Sequence, residues 1–204
     1  TNVWVVVTPP EYVGDDLLDE VTLTYNAERR RYEGSYAMVA GRGTYTFTLY
    51  AADATGNVSP PAQTQLVGED LYEQDDSAGL ARGIDPGEIE THNLHNAADE
   101  DWVKFYAASG HVYMIEAIQL GTNVDVAISV YWERPDGTLS NIDVDVDLAG
   151  RGEGETEWTL LDLASNDLYE AGVYYICIRS ADPAGGGLES EYDLEVYVET
   201  GSGA

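Results

Sequence analysis

The sequence predicts an all-β protein made of two successive β-sandwiches. Three observations carry that prediction. The apolar stretches are short and alternate with polar residues at period two, the pattern of half-buried strands. They are rich in Val, Ile, Tyr and Thr, which fit a pleated surface. Helical periodicity is confined to a turn or two within "SAGLARGI" (77–84), with Asp76 or Ser77 as its N-cap.

The elements follow in order. "TNVWVVV" opens as a strand, and "DEVTLTY" and "RRYEGSYAM" give two more. "GTYTFTLYAAD" sets Tyr45, Phe47, Leu49 and Ala51 on one face and Thr44, Thr46, Thr48 and Tyr50 on the other. The turn after it, "DATGNVS", is built for a tight reversal: Gly56 and Asn57 tolerate positive φ, and Asp53 can accept backbone N–H groups. Pro60 and Pro61 cannot lie in a central strand. One further strand follows, and a boundary falls where the acidic stretch begins. The first sandwich is therefore expected over 1–67, the second over 68–200, with 201–204 as a tail. No internal repeat links the halves.

In the second part "DWVKFYA", "HVYMIEAI" and "VDVAISVYW" read as strands, and turn signals such as "RPDG", "AGRGEG" and "DPAGGG" separate the later ones. "VYYICIRS" presents Tyr174, Ile176 and Ile178 to a core, and "EYDLEVYVE" presents Tyr192, Leu194, Val196 and Val198. About seven or eight strands in this span suit a jelly-roll-like sandwich.

Composition narrows the function. The chain carries net charge −29, yet 44% of its residues are hydrophobic, enough for packed cores rather than a disordered acidic tail. Lys104 is the one lysine. An acidic, lysine-poor surface suits salty water, where screening weakens self-repulsion; a composition shared across a proteome explains it equally well. Nucleic acid and anionic membrane surfaces both need basic patches and are poor partners, and no run is long and apolar enough to insert into a bilayer. Cys177 is alone, so no internal disulfide forms, and in its strand it reads as a small apolar residue. The first residues lack a basic n-region, which suggests a fragment cut from a longer precursor.

Residues 69–199 resemble the bacterial pre-peptidase C-terminal domain. The resemblance runs in order through "DLYEQDDSAGLA" (70–81), "HNLHNAADEDWVKFYA" (92–107), "GVYYICIRS" (172–180) and "SEYDLEVYV" (190–198). It implies a non-catalytic β-sandwich appended to a secreted peptidase or another exported bacterial protein, often removed on maturation. Distant relatives in bacterial collagenases bind calcium through an acidic N-terminal segment. More weakly, "GTYTFTLYAADATGNVSPP" (43–61) is similar to the last strands of a bacterial immunoglobulin-like module, which implies that fold for the first sandwich.

Asp70, Glu73, Asp75 and Asp76 crowd one loop. Calcium takes six to eight oxygens at roughly 2.3–2.6 Å, and such a loop supplies several of them. The resemblance would bring Asp99 or Asp101 alongside. The chain departs from the family pattern at Leu71 and Ala98, where calcium-binding relatives carry acids. Against calcium stands a solvated acidic linker in which Asp76 and Ser77 merely cap a turn, in a chain with 38 acids. Asp143, Asp145 and Asp147 share one strand face without the glycine and glutamate of an EF-hand loop, and read as a solvated face. His92 and His95 are three apart with no third soft ligand near, so they are expected to pack or hydrogen-bond at the start of the Trp102 strand rather than bind zinc.

No nucleophile motif is present, and acid pairs cannot be ranked by sequence. The expected function is thus a pair of non-catalytic accessory modules, secreted or at the cell surface, serving a catalytic domain of the same precursor. Structural calcium would sit in the segment joining the sandwiches. The alternative is a module binding extracellular polysaccharide or protein on exposed aromatics such as Tyr131, Trp132 or Trp158. An unrecognised hydrolase is the third class.

Overall fold

The computed structural model describes residues 1–10, 12–14, 17–36, 43–119, 121–147, 156–165, 169–182 and 185–199, with only the backbone of Asp145. Its strands are β1 (Asn2–Thr8), β2 (Asp19–Asn26), β3 (Arg31–Glu33), β4 (Gly43–Ala52), β5 (Ala62–Gly68), β6 (Arg82–Gly83), β7 (Ile89–Asn93), β8 (Glu100–Ala107), β9 (Val112–Gln119), β10 (Val126–Glu133), β11 (Leu139–Val146), β12 (Thr156–Asp162), β13 (Gly172–Ser180) and β14 (Glu191–Val198). The protein is all-β. Among the described residues no helix is long and apolar enough to cross a membrane.

The chain divides into two compact units, Thr1–Glu69 and Asp70–Ala204. In the first, the described strands form one sheet of order β3-β2-β1-β4-β5. Val5, Val7 and Tyr45 are buried on its apolar face, and Val21, Leu23, Phe47 and Leu49 pack against them, as the alternation in β4 predicts. The strand expected over "RRYEGSYAM" is shorter, ending at Glu33, and Met38 lies outside the described residues.

In the second unit two sheets, β11-β10-β13-β8-β6 and β12-β9-β14-β7, share one core. Val103 and Phe105 of β8, Ile128 and Val130 of β10, and Tyr174, Ile176 and Ile178 of β13 meet Ile115 and Ala117 of β9 and Tyr192, Leu194 and Val196 of β14. Burying each large side chain contributes about 1.5–3 kcal/mol. The expected helix is a single turn: the Leu80 N–H reaches the Ser77 carbonyl at 2.9 Å, and the chain then straightens into β6, which pairs parallel with β8. Gly79 inside a short segment already committed to a strand leaves no room for helix propagation. Strand β7 pairs with β14 so that His92 stands opposite Tyr192 and Glu90 opposite Leu194. That register sets a histidine and a glutamate among core residues.

Candidate metal centre

The loop that opens the second unit is stitched to the strands beside it through its backbone and through Asp70. Asp70 Oδ1 accepts the Tyr72 N–H and its Oδ2 accepts the Asn93 N–H, each at 2.8 Å. Arg82 donates from Nε to the Tyr72 carbonyl at 3.0 Å. The Asp75 carbonyl accepts N–H groups from Trp102 at 3.2 Å and Ser77 at 2.7 Å. These bonds carry Glu73 and Asp75 to the first inward position of β8, which is Asp101.

Asp101 shares its strand face with Val103, Phe105 and Ala107, and Glu90 and His92 share theirs with Leu94; all seven are buried. The His92 ring is stacked between Tyr72, centroids 4.5 Å apart, and Tyr192 at 5.6 Å. Its Nδ1 lies 3.6 Å from Asp70 Oδ2, and its Nε2 lies 3.4 Å from Glu90 Oε2. Burial alone would strip the proton from His92, but Asp70, Glu90 and Asp101 together outweigh burial and hold its pKa up at about 10. The imidazolium returns the favour. Burial pushes the Asp70 carboxyl up, yet His92 and the two backbone N–H groups hold it below the usual range.

The acids facing this fixed cation lack comparable partners. Asp75 is fully buried and neither carboxylate oxygen has a hydrogen-bond partner. Asp101 accepts the Tyr192 hydroxyl through Oδ2 and leaves Oδ1 unpaired. Asp99 accepts the His95 N–H at 2.6 Å through Oδ2 and leaves Oδ1 unpaired, and Glu73 Oε1 is also buried without a bond. Burial, reinforced for Asp75 by Glu73 and Asp70, raises the carboxyls of Asp75 and Asp99 to about 7. Asp101 is pushed well above its ordinary value by burial, against the pull of His92.

Ligand atoms of Glu73, Asp75 and Asp101 lie within 4.8 Å of one another, and so do those of Glu73, His95 and Asp99, and of Asp70, His92 and Asp101. Two like charges 4–5 Å apart repel by about 4 kcal/mol at an effective dielectric near 20. Whole domains are stable by only about 5–15 kcal/mol. The cluster therefore takes up either protons or a cation, and its donors can hold a metal ion. Asp75, Asp99 and Asp101 are at most 2% exposed, so none presents its carboxylate to bulk solvent.

Of the residues singled out by sequence, the fold gathers Asp70, Glu73, Asp75, Asp99 and Asp101. All belong to the second unit. Asp76 is exposed and joins none of the three groups found among the described residues. Glu90 and Tyr192 join the site without a sequence motif of their own, and the histidines, expected only to pack or hydrogen-bond, lie among its acids. His92 does pack, between two tyrosines, whereas His95 turns toward the acids. The missed signal was period two in β7 and β8, which puts Glu90, His92 and Asp101 on the core face. Asp143 accepts the Thr159 hydroxyl, and Asp147 is exposed.

No protein-family model and no curated protein matches the chain. Solved structures do. The pre-peptidase C-terminal domain of collagenase from Bacillus anthracis aligns at 16% identity and a TM-score of 0.41, over 57% of this chain and 93% of that one. A carbohydrate-binding module of the β-sandwich superfamily aligns at 12% identity and a TM-score of 0.27, over 98% and 85%. The secreted serine protease VesC from Vibrio cholerae aligns at 9% and 0.34, over 97% and 43%. Scores this low assign neither ligand nor activity.

Proposed function

We propose that the chain is a non-catalytic accessory segment of an exported bacterial protein, a secreted or cell-surface peptidase, in which the second unit is locked by structural calcium. The modules serve as spacers, as folding or secretion aids, or as attachment points for the catalytic domain of the same precursor. The observation that carries the calcium reading is Asp75: a fully buried carboxylate with both oxygens unpartnered, facing Glu73 and Asp101. Those three residues would hold the ion, with Asp70 and Asp99 flanking it and Asp76 adding negative charge from outside. All-oxygen donors of this kind suit a hard cation. The ion supplies no chemistry here beyond neutralising charge and fixing the loop against β8.

The accessory role draws on the ordered motifs over residues 69–199 and on the burial of the acids, which denies them a substrate. Thermal melts with calcium and with chelator test the ion. At a hundredfold excess over Kd it stabilises by about 2.7 kcal/mol. Identical midpoints would remove calcium from the account.

A second function, binding of polysaccharide or extracellular protein, is favoured by Trp158. It is 41% exposed on β12 beside Leu160 at 42%, whereas Trp132 packs against the core. Loss of binding to a glycan array or to a protein pull-down in Trp158→Ala would support it, and silence of the unaltered protein in both assays would end it.

A further inference from the structure

The acid cluster has a rim as well as an interior, and the rim contains a nitrogen. His95 Nδ1 lies 2.6 Å from Asp99 Oδ2 and 3.1 Å from Glu73 Oε1. Neither approach has the alignment of a hydrogen bond, so Nδ1 and Glu73 Oε1 remain without a hydrogen-bond partner, as does Asp99 Oδ1. Donors that converge on a common point, rather than along an N–H axis, are arranged for an ion. The side chains of Glu73 and Asp99 are 4% and 0% exposed, and that of His95 is 19% exposed.

The loop that carries His95 is held from behind. The Gly187 N–H and the Ser190 hydroxyl both reach the Leu94 carbonyl, at 2.7 and 2.8 Å. Gly186, at φ 93°, sits where a Cβ would come within 2.7 Å of the Asn96 carbonyl oxygen, so the two backbones meet only because that residue has no side chain.

We infer that Glu73, His95 and Asp99 form a second cation position, distinct from the all-oxygen one, that takes a first-row transition ion of the zinc class. It deepens the calcium reading and rests on it, because Glu73 is common to both positions. The class of ion follows from the donors. Imidazole suits zinc and its neighbours, whereas calcium is served by oxygen. Ligand atoms roughly 2.0–2.2 Å from a tetrahedral ion lie about 3.3 Å apart, so His95 Nδ1 would have to open by about 0.2 Å from Glu73 and about 0.7 Å from Asp99, within reach of a side-chain rotation. One imidazole and two carboxylates leave a fourth position, and the partial exposure of His95 turns it toward solvent.

Isothermal titration of the metal-free full chain with zinc, in saturating calcium, tests this. One equivalent of zinc should bind alongside calcium. His95→Asn should weaken zinc at least tenfold while changing calcium affinity less than twofold, and His111→Asn, a control on an exposed histidine, should change neither. Cobalt as a probe should give the intense visible bands of a four-coordinate site in the unaltered protein, a readout that needs no variant to fold. The inference is overturned if zinc is refused in the presence of calcium, if it binds His95→Asn as tightly, or if cobalt gives only weak six-coordinate bands. Failure of calcium to bind would sink the calcium reading by itself. Zinc titrated alone, with and without His95→Asn, would still decide the rim position.

Discussion

The turn at Asp53 in the first unit and the loop at Asp75 in the second each bend the chain around an aspartate. Asp53 is exposed, and its carboxylate accepts the N–H groups of Thr55 at 2.8 Å and Asn57 at 3.0 Å, the Thr55 hydroxyl and the Asn57 amide. Those bonds favour the charged form and hold its pKa far below the usual range. Gly56 supplies the positive φ, 89°, that the turn requires. Asp75 has its oxygens buried and unbonded, and burial raises its carboxyl to about 7. One carboxylate is satisfied by donors of its own turn; the other is assembled from distant strands and left incomplete. A local sequence can finish the first kind of site, whereas the second needs a partner from outside the chain.

The largest change is expected at His92. His92→Gln removes the fixed positive charge between Asp70 and Glu90, and stranding buried charges this way costs about 3–5 kcal/mol. Calorimetry should show the second unit's melt falling sharply. An unchanged melt would mean that the imidazolium is not what holds these acids.

Next in size is the ion itself. Asp75→Asn should abolish the calcium-induced rise in midpoint, which is on the order of 10 °C for 2.7 kcal/mol in a domain of this size. A full response in the variant would move the ion away from Asp75.

The two kinds of aspartate also respond to pH with opposite sign. A carboxyl with a raised folded-state pKa holds its proton more tightly folded than unfolded. Its stabilisation is complete below its unfolded value near 3.8 and is lost as pH rises through the folded value of about 7. Metal-free protein should therefore melt higher at pH 5 than at pH 8. With calcium the order should reverse, because the ion needs the deprotonated acids. Asp53 runs oppositely: its folded-state pKa is lowered, so its contribution is present above the unfolded value and fades only in acid. Melts at the two pH values, with and without calcium, check the first two signs, and the first unit's melt followed from pH 5 down to pH 2 checks the third.

The smallest effect belongs to Asp53→Ala, which should lower only the first unit's melt and leave the calcium response untouched. A changed response would couple the turn to the site.

Strand positions and the apolar faces of β4, β13 and β14 were legible because period two survives in single strands, except that Val198, expected on the β14 face, is exposed at the strand end. The turn at Asp53 was legible for the same local reason, although Asn57 did not need the positive φ that Gly56 provides. Short β6 is illegible because two exposed residues, Arg82 and Gly83, show no alternation, and β7 because its inward face carries Glu90 and His92 while Ile89 faces out. The acids of the loop could be picked out by crowding alone. That Asp70 would be spent on backbone N–H groups, that Asp76 would face solvent, and that His95 would join the cluster all depend on how β7, β8 and the loop are laid together. No local pattern encodes that arrangement.

Trp102 follows Asp101 directly, and its N–H is bonded to the Asp75 carbonyl. Its indole stacks on Tyr131 at 5.2 Å and donates to Glu100 at 3.0 Å, on the opposite face of β8 from the acids. The strand thus carries a built-in fluorophore one peptide away from the cluster. With Trp4, Trp132 and Trp158 replaced by Phe, movement of the loop against the strand is expected to change Trp102 emission, read without dye or label.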